Sequence, residues 1–406
     1  MKNIRYKKNG ITLWCIYLTV FILPLDFTIA GGVTTVRLMG SAAIVSWLFH
    51  ILATRKVIIR FNRVILCAVL FITWGVASVL WSRATSFQHF TVWELITLYL
   101  FFIGIYLVII NSITTIVVFR RFALSFLLGG VLAATIAIFR SFQGSAFLLQ
   151  RAVALSDQNA NFFGANMAVG FIVSLYFFLT TKRLSLRLMI VAASSLLLLA
   201  LMLSGSRMAW LSIAAALAIS AMIAKPVSWR RMIPSVILTA LLCVVGFYVI
   251  SFTKFIPTDM IHNVRQRATF EYAIENQMGL RMGIWQVGWE MAKHNPFFGV
   301  GLRNFPVAIE QYRSLLREDL IIWSPWPHSI YLSVLGELGI VGLLLLLLIL
   351  GFSFWYALRC QDTVHRFLAL AIVIFLSVAG LVAELQIFAW FWLMLALSYV
   401  TVVTHK

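Results

Sequence analysis

Apolar runs of about 18 residues or more recur along almost the whole chain, and this recurrence constrains the fold more than any other feature. Wound as a helix, a run of that length matches the hydrocarbon thickness of a bilayer. Lipid offers no water to satisfy backbone N–H and C=O groups, so each span must be a helix or belong to a closed barrel. The alternating ten-residue strands of a barrel are absent from the sequence. Composition agrees, with 62% of residues hydrophobic and 11% charged, where soluble domains carry about 25%. The reading is an all-α polytopic membrane protein.

About twelve spans are predicted, near 11–30, 33–53, 64–82, 93–111, 122–139, 160–180, 188–204, 208–224, 233–253, 329–357, 367–383 and 386–403. They divide the chain into an N-terminal bundle of about nine helices (1–252), a large loop with short amphipathic helices (253–327) and a C-terminal bundle of about three helices (328–406). The net charge of +19 invites a nucleic-acid reading, but the charges sit in short clusters between apolar spans. The N-terminus, the clusters around Arg55, Arg120, Lys182, Lys225 and Arg359, and Lys406 hold nineteen of the 32 basic residues, with Asp362 as their single acid. That pattern predicts cytoplasmic termini and an outward-facing 253–327 loop. The run from Ile11 to Ala30 is too long for a signal-peptide core and contains Pro24 and Asp26, so it is read as a retained first helix. Cys15, Cys67, Cys243 and Cys360 all lie outside the loop, which excludes a disulfide framework there. Neither His262 nor His294 has partners at metal-ligand spacing.

The loop carries Arg265, Arg267, Arg281, Arg303, Arg313 and Arg317 and ends on Pro327-His328-Ser329. A polar stretch this long is unusual unless functional. Guanidinium groups grip phosphate oxygens two at a time, so Arg281 and Arg207, the latter at the tip of a tight turn between two spans, are candidates for an anionic lipid-borne substrate. An imidazole ordinarily titrates near neutrality, so His328 is a candidate base whose function falls on acidification through the neutral range. Asp157 and Asn159 open the sixth span, where either can act as a helix N-cap. Glu337 lies inside an apolar span, where it is costly unless paired. Gly336, Gly339 and Gly342 allow a neighbouring helix to approach.

These residues together resemble the bacterial O-antigen ligase family, which shares a membrane domain with O-antigen polymerases and some protein O-oligosaccharyltransferases. His328-Ser329, nine residues, then Gly339-Ile340-Val341-Gly342 matches the family's pattern of His, Asn/Ser/Gln, nine residues and Gly-x-x-Gly. Ser204-Gly205-Ser206-Arg207, Arg281 with Trp285, Asn295-Pro296-Phe297-Phe298-Gly299-Val300-Gly301 and Asp157-Gln158-Asn159 are similar to further family elements. Leu343 and Leu344 stand where two threonines often follow the glycines. The resemblance implies a GT-C-like, metal-independent glycosyltransferase without a cofactor in the bacterial inner membrane, with its active site facing the periplasm. It also implies an undecaprenyl-diphosphate-linked glycan donor and a lipid A-core acceptor. His328, Arg207 and Arg281 would be catalytic; Arg265, Arg303, Asp157, Asn159, Ser329, Gly339 and Gly342 would join those arginines in binding substrate. The rival from another class is a polytopic transporter or lipid flippase. Such proteins often show related halves around a midway cytoplasmic loop, and no half-to-half repeat is visible in this sequence.

Overall fold

The computed structural model describes residues 10–30, 33–55, 59–82, 86–87, 90–142, 151–155, 159–225, 258–269, 279–312, 326–385 and 387–404, with Ile237, Leu241, Val245 and Tyr248. The described chain is helical almost throughout. Its membrane-type helices are α1 (Gly10–Ile22), α2 (Thr35–Thr54), α3 (Arg63–Ala77), α4 (Val92–Ser112), α5 (Ile116–Phe142), α6 (Ala160–Thr180), α7 (Leu184–Leu203) and α8 (Arg207–Ala224). Three shorter helices follow in the polar stretch: α9 (Thr258–Ala268), α10 (Gly279–His294) and α11 (Phe305–Tyr312). The chain returns to apolar helices with α12 (Ile330–Leu358), α13 (Thr363–Ala379) and α14 (Ala389–Val403). Among the described residues, seven helices are long and apolar enough to cross a membrane, and four shorter ones are apolar. These fall on eleven of the twelve predicted stretches; the other, 233–253, lies largely outside the described residues.

The first predicted span, 11–30, is shorter in the structure. Pro24 enters a single turn of 3-10 helix (Leu23–Leu25), and the chain then forms a small hairpin of β1 (Thr28–Ala30) and β2 (Val33–Thr34). Asp26, too costly to bury unpaired, accepts from the Val36 N–H at 3.0 Å and the Thr35 hydroxyl at 2.9 Å, so it caps α2. Elsewhere caps set the helix starts, as foreseen at Asn159 and unforeseen at Ser329. Asn159 accepts from the Asn161 N–H at 2.8 Å at the start of α6, and Ser329 caps α12.

The described connections lie at two ends of the bundle. At one end Arg60 donates its N–H to Asn111, Arg63 lies over the Trp355 ring at 5.1 Å, and Arg120 reaches Thr180. At the other, Arg151 reaches Ser204, Arg267 reaches Gly205, and His328 donates its N–H to Glu384. The polar stretch packs on this second end.

One helix is broken where it meets that stretch. Gly339 has φ 65° and ψ −166°, which interrupts α12. The segment Pro296–Gly301 lies against the break and takes up its backbone groups. Val300 N–H donates to Gly336 O at 2.9 Å, Gly301 N–H to Glu337 O at 2.8 Å, and Ile340 N–H to Pro296 O at 2.8 Å. The Trp74 indole closes the set by donating to Leu338 O at 2.9 Å. Glycine is required by contact as well as by φ, because a Cβ on Gly299 would stand 2.3 Å from Glu337 backbone and one on Gly339 2.3 Å from Phe297 backbone. The neighbour admitted by Gly339 is therefore a loop that turns through Pro296–Phe298, where a helix was predicted. A β-carbon on Gly342 would strike the Leu338 side chain of its own helix at 2.3 Å, a consequence of the same break.

This docking generates a stability prediction. Gly299→Ala and Gly339→Ala should each lose about 1–3 kcal/mol from backbone conformation alone, with the steric clash added. Gly351, whose Cβ would meet nothing within 4 Å, provides the control. Thermal unfolding in detergent should rank both variants well below Gly351→Ala; equal midpoints would refute the close docking.

Candidate active site

Four elements bring the candidate residues together. Arg207 is the first residue of α8, directly after the turn Ser204–Ser206, and Ser206 caps the helix through the Ala209 N–H. Gly205 turns the chain with φ 58°, and its carbonyl accepts from Arg267 Nε at 3.0 Å. The Ser204 carbonyl accepts from Arg151 Nε at 2.6 Å, while the Arg151 guanidinium also donates to Asn161 Oδ1 at 2.8 Å. Two guanidinium groups thus fix the turn that presents a third.

Arg281 and Trp285 sit four residues apart on α10, on one face of the helix. The Trp285 indole donates to the Pro327 carbonyl at 2.9 Å, which ties this face to the residue preceding His328. Burial presses the Arg281 guanidinium below its usual range, and the positive charges of Arg207 and Arg267 press it further. The structure therefore brings Arg207, Arg267 and Arg281 into one electrostatic cluster, with His328 beside Arg281.

His328 is held on three sides of its backbone. Its N–H donates to Glu384 Oε1 at 3.3 Å, Pro327 before it is bound by Trp285, and Ile330 after it donates to the Gly380 and Ala383 carbonyls. Its φ of 50° lies in the left-handed region, uncommon for a residue other than glycine and frequent at functional sites. Burial, and then the charge of Arg281, lower its imidazole to about 4. The predicted loss of function through the neutral range is corrected accordingly: the ring stays neutral, and able to accept a proton, well below neutrality.

Behind His328 lies a second charged group facing inward. Arg303 sits in the left-handed region with φ 59°, stacks 3.8 Å above the Trp326 ring and pairs with Glu384 at 3.6 Å. Its N–H donates to Glu337 Oε2 at 3.0 Å, and the Phe305 N–H donates to Oε1 at 3.4 Å. Glu337 thus accepts from the Arg303 amide and from the first amide of α11. Burial and the Glu337 charge push Glu384 up to about 8 against the pull of Arg303.

The remaining candidates take these places. Arg265 is exposed on α9, two residues from Arg267, which faces the Gly205 turn. Asn159 serves as a cap, Ser329 is a buried cap, and Gly339 and Gly342 lie at the break in α12. Asp157 lies outside the described residues. Arg151, Arg267 and Glu384 were not singled out from sequence. An acid between two apolar spans was the available signal for Glu384. Arg151 and Arg267 had only their place in polar connections. Among the described residues, no group of three or more His, Cys, Asp or Glu is placed to hold a metal ion.

Residues 192–347 match the family model described as O-Antigen ligase, an interval that contains Arg207, Arg281, His328 and the broken helix. A search of curated proteins found no match.

The electrostatics yield a direct measurement. Histidine NMR of isotopically labelled protein should place the His328 titration near 4, and Arg281→Met should move it upward by removing a nearby cation. A neutral imidazole is needed to accept a proton, so kcat/KM should persist as pH falls until this titration of the free protein is reached, then drop. A His328 value unchanged by Arg281→Met would break the proposed coupling.

Proposed function

Since the chain carries an O-antigen ligase family domain across residues 192–347, we propose that it transfers O-antigen polysaccharide from an undecaprenyl diphosphate to a sugar hydroxyl of lipid A-core. The observation that carries this reading is the convergence on one site of the Arg267-held turn that presents Arg207, and of the Arg281 helix tied through Trp285 to the residue before His328. The family match supports O-antigen ligase or polymerase-type chemistry in general, within a multi-pass bacterial membrane protein.

In this mechanism the diphosphate lies against Arg207 and Arg281. The amino end of α8 adds a favourable dipole for an anion. As the bond between the anomeric carbon and the diphosphate oxygen breaks, charge builds on the leaving group, where preorganised cations stabilise it most. The acceptor oxygen forms the new glycosidic bond from the opposite face, and its proton passes to His328, which gives inversion. Bound diphosphate offsets the charge of Arg281 and so raises the basicity of His328 when the base is needed. The guanidinium groups supply the neutralisation for which many transferases recruit a divalent cation, and turnover should persist in chelator.

Purified protein with a lipid-linked glycan and lipid A-core tests the assignment. His328→Ala should lose about 10²- to 10⁴-fold in turnover. His328→Asn is the better probe, because asparagine tolerates the left-handed backbone while lacking the base. Both should retain donor binding; robust transfer by His328→Asn would remove the base assignment. Arg207→Lys and Arg281→Lys keep charge but lose two-point phosphate geometry, and each should reduce transfer substantially at matched protein levels. Transfer to a second lipid-linked glycan in place of lipid A-core would identify a polymerase, the alternative favoured by Leu343 and Leu344. Vectorial movement of lipid without glycosyl transfer would identify a flippase.

The proposed orientation places the polar stretch in the periplasm and both termini in the cytoplasm, following the basic clusters. Gln266, exposed on α9, is a suitable reporter. Gln266→Cys, in a background lacking Cys15, Cys67, Cys243 and Cys360, should react with an impermeant thiol reagent while the inner membrane is intact. Reaction only after that membrane is opened would invert the topology.

A further inference from the structure

A cavity of about 670 Å³ opens between the loop-side end of α3 and helix α11, away from the arginine cluster. Its size is within the usual range for ligand sites, about 300–1,000 Å³. Its chemistry differs from that of the cluster: no Lys, Arg, Asp or Glu occurs among the described residues that line it. Trp81, Phe298 and Tyr312 supply aromatic surface, while Asn295, Asn304 and Gln311 supply amides.

The aromatic wall is built before any ligand arrives. Phe298 stacks on Trp74 at 5.6 Å and meets the edge of Trp81 at 5.3 Å, and the Trp81 indole donates to the Phe298 carbonyl at 3.2 Å. Phe298 nevertheless remains 54% exposed, a locked ring with a face open to the cavity side. Across the cavity, Asn295 Nδ2 donates to the Tyr312 hydroxyl at 2.9 Å, which sets that hydroxyl to donate onward. Aromatic faces beside amides and hydroxyls suit a ligand with apolar C–H faces and a rim of hydroxyls.

We infer that this cleft binds a neutral oligosaccharide segment of one of the two substrates. The inference rests on the glycosyl-transfer reading and deepens it. The wall containing Phe298 and Gly299 is continuous with the Arg303 segment, which contacts Glu384 and through it the His328 backbone. Sugar held in the cleft is thereby held relative to the candidate base.

Titration calorimetry on the full-length protein in detergent tests the cleft with two dephosphorylated, lipid-free probes: the core oligosaccharide and the O-antigen repeat. Val307→Trp would fill the cavity from the α11 wall and should weaken binding by about tenfold or more. Gln311→Ala removes one amide at an exposed position and should weaken it about fivefold, the value of a single hydrogen bond. Loss confined to the core oligosaccharide assigns the cleft to the acceptor; loss confined to the repeat assigns it to the donor glycan. Binding of neither probe, or wild-type binding of both by the two variants, overturns the inference. Turnover of the lipid-linked donor by unmodified protein is measured in parallel. Its absence alongside intact oligosaccharide binding defeats the glycosyl-transfer reading and leaves the cleft standing.

Discussion

Backbone pairing between the Pro296–Gly301 segment and the break in α12 organises everything else on this end of the protein. A helix interrupted at membrane depth exposes carbonyl and amide groups that lipid cannot satisfy, at a cost of several kcal/mol each. Here the Gly336, Glu337 and Leu338 carbonyls and the Ile340 N–H all find partners, three in the docked segment and one in the Trp74 indole. The break is thus stable only with the segment in place, and the segment has a fixed register only because the break offers those groups. Two residues beyond the segment comes Arg303, delivered to Glu337 and Glu384 as a result.

The charges then fall into two groups with opposite character. Arg303 with Glu337 and Glu384 is a mixed buried network, in which each acid accepts backbone N–H groups as well as facing the guanidinium. Such an arrangement fixes geometry more than it adds stability. The Arg207, Arg267 and Arg281 cluster is of one sign: burial first, and then the charges of Arg207 and Arg267, depress Arg281. An anion bound there would offset those like charges. Arg151 and Arg267 hold the Gly205 turn through its carbonyls, which keeps the cations from separating to reduce their repulsion.

The spans were legible because hydrophobicity over a 20-residue window outweighs any local preference, and α6 begins where Asn159 announces a cap. The first span misled because its apolar run continues through Pro24 and Asp26, where backbone geometry and an acid's need for donors end the helix early. At the site, His328, Arg207 and Arg281 could be singled out by type and position. The choice between Arg265 and Arg267 could not, because two positions separated by about 200° on a helix differ only in what they face. Glu384 was missed for a related reason: its meaning comes from Arg303 and the His328 N–H, both more than 50 residues away in sequence. The glycine spacing correctly signalled close approach at Gly339, but spacing alone does not distinguish a helix from a turning loop as the visitor.

A transfer between a lipid diphosphate and a sugar presents an enzyme with conflicting demands. The leaving group requires concentrated positive charge, whereas a polyol gains little from charge and much from flat apolar surface with hydrogen-bonding groups. On the proposed glycosyl-transfer reading, the protein separates these demands in space while joining them mechanically. One short stretch, Asn295 to Asn304, contributes Asn295, Phe298 and Asn304 to the cleft and Arg303 to the network that grips the His328 backbone through Glu384. Displacement of this stretch would therefore disturb the cleft and the candidate base together. Its anchorage on α12 is backbone to backbone, which leaves the side chains facing the cleft open to change without loss of the docking.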